Sequence, residues 1–156
     1  MTPLSLQKAL KEDLQSLFDG FVELKQDCTA GKMKVYENSA PIQMDNQNES
    51  DIYPYIVVRL TGGEVPEDYD TFPTANVVIL IAYHDPDLSN DGNKYVMTAI
   101  HRIIERFRKN SLLANMYNQT GNIEWTMSDE DTFPYFFGGI QMTFTLPKIE
   151  RESDYC

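Results

Sequence analysis

Asn76-Val77-Val78-Ile79-Leu80-Ile81-Ala82-Tyr83 organises the reading of the whole chain. Its core, Val77 to Ile81, is apolar at every position, and such a continuous run predicts a strand covered on both faces. Upstream lies Tyr53-Pro54-Tyr55-Ile56-Val57-Val58-Arg59-Leu60, β-branched and aromatic, with its proline near the start, where a ladder donor can be missing. That strand is expected to end at Thr61-Gly62-Gly63. The loop from Thr61 to Phe72 holds Glu64, Glu67, Asp68 and Asp70 and no basic residue.

Downstream the period changes. From Asn93 to Lys109 the pattern is helical, with Val96, Ile100, Ile103, Ile104 and Phe107 on one stripe. Arg102, Arg106, Arg108 and Lys109 fall largely off the stripe, and the basic cluster near the C-terminal end suits the helix dipole. Two alternating strands follow. Ile123, Trp125 and Met127 share one face of the first; Ile140, Met142, Phe144 and Leu146 share one face of the second, with Gln141, Thr143 and Thr145 opposite.

At the start of the chain, Thr2 is placed as an N-cap and Pro3 at the first helical position of an amphipathic helix. Leu10, Leu14, Leu17, Phe18 and Phe21 recur at helical spacing, and Gly20 marks a stop. Each buried Leu or Phe contributes about 1.5–3 kcal/mol, enough to dock the helix on a sheet. A short strand is expected at Lys32 to Tyr36. Glu37 to Asp51 is polar and poor in large apolar residues, so it is expected to be a long mobile loop. The tail from Lys148 to Cys156 is charged and expected to fray.

The order is therefore α-β-β-β-α-β-β. It predicts an α+β fold, a single mixed sheet with two packed helices, in one domain over residues 1–156. At 156 residues and 17.9 kDa the length suits one domain, and there is no internal repeat.

Composition narrows the function classes. Hydrophobic residues make up 42% of the chain, which excludes wholesale disorder, and no apolar run approaches the ~20 residues of a membrane helix. The first residues lack the basic and apolar regions of a secretory signal, so a soluble, intracellular protein is expected. Cys28 and Cys156 read as free thiols of a reducing compartment, and neither has a second ligand at zinc spacing. The net charge of −11 repels phosphate backbones, which argues against tight nucleic-acid binding. It leaves room for a protein that surrounds DNA without gripping it.

Catalytic motifs are weak. Asp85-Pro86-Asp87-Leu88-Ser89-Asn90-Asp91-Gly92 has alternating oxygen side chains, but Asn90 stands where a calcium loop needs glycine and Val96 where it needs glutamate. It reads better as a turn. His84 beside Asp85 has the makings of a base held by a carboxylate, while His101 and Glu105, four apart, read as a surface pair. Gly62-Gly63 and Gly138-Gly139 lack phosphate-loop spacing and mark turns or bulges. No cofactor or metal is expected.

Two features point to protein contact instead. Phe133-Pro134-Tyr135-Phe136-Phe137 is either core or an exposed patch rich in anchor residues, and composition does not choose between them. Charge is also segregated, with Glu64, Glu67, Asp68 and Asp70 in one loop and Lys94, Arg102, Arg106, Arg108 and Lys109 on one helix. Solvated faces would explain this; so would a head-to-tail interface in which the acidic loop of one subunit meets the basic helix of the next. The contact candidates are Glu64, Glu67, Asp68, Asp70, Arg102, Arg106, Phe133, Tyr135 and Phe136.

Three blocks together resemble a known family: Tyr53 to Leu60 with its Gly-Gly-Glu ending; Val77 to Tyr83 running through Asp85 to Asn93 into the helix; and Phe133 to Ile140 leading to Phe144-Thr145-Leu146-Pro147. They are similar to small prophage proteins of Gram-positive bacteria encoded among the head-to-tail joining genes, and the element order resembles the phage tail terminator fold. The resemblance spans roughly Ile52 to Lys148. It implies a structural role in virion assembly: a homo-oligomeric ring, typically hexameric, which caps the tail-tube protein, stops its polymerisation and meets the head connector protein. DNA would pass through the centre without specific binding. It further implies residence in the bacterial host cytoplasm during assembly and then in the virion tail, with 37–51 ordering on contact.

Three other readings stand beside it. One is another head-to-tail joining or tail-tube protein. Another is a small metal-dependent or acid-base enzyme using His84, Asp85 and Asp87. The last is a ferredoxin-like RNA-binding module, which would need basic residues among stacking aromatics on strands that here carry Tyr, Phe and Thr.

Overall fold

The computed structural model describes residues 3–19, 33–39, 54–68, 70–84, 92–128 and 133–147. Helix α1 (Pro3–Asp19) turns Leu6, Leu10, Leu14 and Phe18 inward, one residue per turn, and all four are buried. Helix α2 (Gly92–Lys109) does the same with Val96, Ile100, Ile103 and Phe107. Between and after them come β1 (Lys34–Glu37), β2 (Tyr55–Glu64), β3 (Thr74–His84), β4 (Leu112–Leu113), β5 (Tyr117–Met127) and β6 (Tyr135–Thr145).

The strands form one sheet in the order β1-β2-β3-β6-β5-β4. Only β1 and β2 run parallel; the other neighbours are antiparallel. The mixed sheet with two helices is thus the architecture expected from the residue pattern, with a two-residue strand, β4, added after α2. Both helices lie on the same face. Their inward residues merge into one core with Val35, Ile56, Val58, Val77, Ile79, Ile81, Ile140, Met142 and Phe144. Phe107 meets Phe144 edge to face, with ring centres 5.5 Å apart.

Register shows which expectations need correction. Val77, Ile79 and Ile81 of β3 are buried against the helices, whereas Val78 and Leu80 are half-buried on the face that carries neither helix. The continuous apolar run therefore does not mark a strand packed between two helical layers. Strand β2 does not stop at the glycine pair. A bulge at Thr61 lets it continue through Gly62 and Gly63 to Glu64, so part of the expected acidic loop is strand. Strand β1 begins at Lys34, not Lys32, and Glu37 is its last residue. The remainder of the polar stretch, 40–51, and the tail 148–156 lie outside the described residues, as do Asp85 to Asp91, both cysteines, Thr2 and Gly20.

Strand β5 is longer than its alternating core suggested. It starts at Tyr117, after a tight turn in which Ala114 and Asn115 take positive φ and the Met116 amide donates to the Leu113 carbonyl at 3.1 Å. An irregularity between Thr120 and Glu124 inserts two residues relative to β6, with Gly121 at φ 73°.

Candidate contact surfaces

Paired residues form a single row across one end of the sheet: Glu64 faces Thr74, Thr74 faces Thr145, Thr145 faces Asn118, and Asn118 faces Leu112. The acidic turn joining β2 to β3 leaves from one end of that row. At the other end, β4 is reached directly from the C-terminus of α2, where Arg106, Arg108 and Lys109 are clustered. Strand β1 pairs only with Tyr55 to Val58, so among the described residues β2 is itself the sheet's edge in this row. The negative and positive groups thus sit at one end of the molecule and on opposite flanks, separated by roughly 19 Å of sheet at about 4.8 Å per strand.

The candidates differ in how free they are. Glu64, Glu67, Asp68 and Asp70 are exposed. Asp68 also shapes its own turn, its carboxylate accepting from the Asp70 amide at 2.9 Å and the Thr71 hydroxyl at 3.1 Å. Arg102 is half-buried. Arg106 is committed inside the molecule: its Nε and Nη2 donate to the two carboxylate oxygens of Asp13 on α1, each at 3.1 Å. The same guanidinium donates to the carbonyls of Asn110 and Leu112. Its forked, fixed geometry suits this clamp between two helices and β4, and removes Arg106 from the candidate contacts.

Lys109 and Arg108 remain exposed at that end. Lys109 donates to Glu105 at 2.7 Å, and this bond and charge hold the Glu105 carboxyl below its ordinary 4.5. His101 lies 3.8 Å from the same carboxylate, as its four-residue spacing predicts.

The aromatic cluster is divided by strand alternation. Phe136 points to the helices and is buried, so it is core and not contact surface. Phe133 is 42% exposed and meets Phe136 edge to face at 6.3 Å. Tyr135 lies on the other face, half-buried, with its ring 5.0 Å from that of His84.

That other face also carries a feature missed in the sequence, a groove of about 410 Å³. Val78, Leu80, Phe137, Gly139 and Thr126 line it, and Trp125 is among its walls. A Cβ at Gly139 would make ordinary contact with the Leu80 side chain, at 3.6 Å. The sequence reading takes Gly138-Gly139 for a turn or bulge, whereas both lie inside β6 in unbroken register with β3. The groove becomes legible only once the register sets Leu80 beside Gly139.

Among the described residues, no group of three His, Cys, Asp or Glu side chains is placed to hold a metal ion. Nor, among those residues, is any helix long and apolar enough to cross a membrane.

No family model matches the chain, and no curated protein matches it. One solved structure, whose name states no function, aligns over 96% of this chain and 95% of its own, with a TM-score of 0.53 and 8% sequence identity. At that identity the likeness is one of fold: the chain has an α+β architecture of two helices on one mixed sheet.

Proposed function

We propose that the protein is a tail terminator: six copies in a ring seated on the end of a phage tail tube, ending its growth and presenting a surface to the head connector. The observation that carries this reading is the position of opposite charges on the two flanks of one sheet end. Copies placed side by side in the same orientation bring the Glu64 to Asp70 turn of one to the level of Arg108 and Lys109 of the next, and such a heterologous contact closes into a ring. The resemblance of the three sequence blocks supplies the biological setting, with assembly in the host cytoplasm and residence in the virion tail. The net charge of −11 suits a conduit through which DNA slides. The exposed groove and Phe133 then serve as candidate seats for the tube or connector protein.

The test is the mass of the purified protein by light scattering, with negative-stain images. Rings near six times 17.9 kDa that dissociate as salt is raised are the expected result. Rings indifferent to salt would overturn the charge-based contact. A monomer that also failed to bind purified tail tubes would overturn the terminator reading.

A further inference from the structure

Sheet edges are where chains pair adventitiously, and this sheet treats its edges unequally. On β1 the outward backbone groups are closed by helix α1: the Gln15 amide donates to the Met33 carbonyl at 2.9 Å and accepts from the Val35 amide at 3.2 Å. Where β2 becomes the edge, it is broken by the bulge at Thr61 and charged at Glu64. Strand β4 is only two residues long and covers β5 only at Tyr117 and Asn118.

Beyond the irregularity, β5 pairs with β6 from Glu124 to Met127, and among the described residues no strand lies on its other side. The Ser128 amide donates inward to the Phe137 carbonyl at 3.0 Å. By strand alternation from that inward bond, Trp125 and Met127 direct their amides and carbonyls outward. At the centre of this unprotected segment Trp125 is 50% exposed. A large exposed aromatic on an open edge is the opposite of the charges, prolines and bulges that keep edges solitary.

We propose that this edge pairs with the same edge of a second copy, in antiparallel register about Trp125. The segment is complementary to itself. Trp125 faces Trp125 of the other copy, Ile123 faces Met127 on the helix side, and Glu124 faces Thr126 on the groove side, so no like charges meet. The Trp125 residues of the two copies exchange two backbone hydrogen bonds, and the ladder extends from them toward Met127 on either side. The two other edge segments are blunted, so sheet extension between copies uses β5 on both sides, is two-fold, and closes at a dimer. The groove beside Thr126 and Gly139 continues across the two-fold axis. This pairing does not rest on the terminator reading.

The experiment uses the full chain with Cys28→Ser and Cys156→Ser, and compares Trp125→Cys with Thr126→Cys under mild oxidation. Facing residues in such a pair stand about 5.5 Å apart at Cα, within disulfide range, so Trp125→Cys cross-links to a dimer. Thr126→Cys does not, because it faces Glu124. In the unmodified protein, at salt high enough to dissolve charge-based rings, sedimentation equilibrium shows a dimer that tightens as salt rises further, because each copy carries −11. Trp125→Pro, which removes an outward amide and no internal bond, weakens the dimer roughly tenfold or more while thermal unfolding remains cooperative. A persistent monomer, a dimer indifferent to Trp125→Pro, or absence of cross-linking at 125 overturns the pairing. Rings that dissolve in salt and leave position 125 uncross-linked would support the charge-based ring and overturn the two-fold edge.

Discussion

Two adjacent glycines face different fates. At Gly138 a Cβ would stand 2.6 Å from Val96 Cγ1 and 3.0 Å from Ile100 Cδ1, both on α2. Gly138→Ala is therefore expected to push α2 off the sheet and lower stability by about 1–3 kcal/mol. At Gly139 the nearest atoms are at 3.6 Å, on the open face, and Gly139→Ala is expected to be neutral or stabilising by up to about 1 kcal/mol. Denaturant midpoints of the two variants at equal m-values check both. Gln15 makes a second test. Replacing it by Leu leaves the Val35 amide and Met33 carbonyl without this partner, which is expected to cost about 1–3 kcal/mol. The same change opens the β1 edge, so the variant is also expected to aggregate at concentrations where the parent is clear, measured by turbidity.

Among the elements, the junction of α1, α2 and β4 depends on one side chain. Arg106 bridges Asp13 and the carbonyls that follow α2, in a setting where both charged groups are about one-fifth to one-quarter exposed. Arg106→Ala is expected to destabilise by about 1.5–3 kcal/mol, and more than Asp13→Asn, whose amide oxygen still accepts one bond. Arg106→Lys should recover little, because an ammonium cannot reproduce the fork. Thermal unfolding of the three variants gives the ranking, and equal losses would disprove a shared clamp. At this scale the residue pattern was informative about helices. The stripes Leu10, Leu14, Phe18 and Val96, Ile100, Ile103, Phe107 are the observed inward faces. It was less informative about Arg106, because a basic residue off an apolar stripe looks the same whether it meets solvent or an aspartate 93 positions away.

For the whole molecule, the charged flanks carry the assembly prediction. Changing Glu64, Glu67 and Asp70 together to Lys is expected to abolish rings without altering the midpoint of thermal unfolding, because all three are exposed. Pairing that variant with an Arg108→Glu, Lys109→Glu partner should restore mixed assemblies, which light scattering of the two proteins apart and together would show. Recovery in the mixture but not in either protein alone is the signature of head-to-tail contact.

The fold class was determined by the sequence itself, because alternating and helical periods are local properties. Phe144 and Met142 must face one way and Thr143 the other, whatever they pack against. What covers each face is not local. Tertiary structure alone decided that both helices share one side, that Val78 and Leu80 border an open groove, and that Phe136 is core while Tyr135 is not. It alone also closed β1 with Gln15 and, among the described residues, left β5 without a neighbouring strand around Trp125. These features depend on register and layer order, and those are fixed by contacts between residues far apart in the chain.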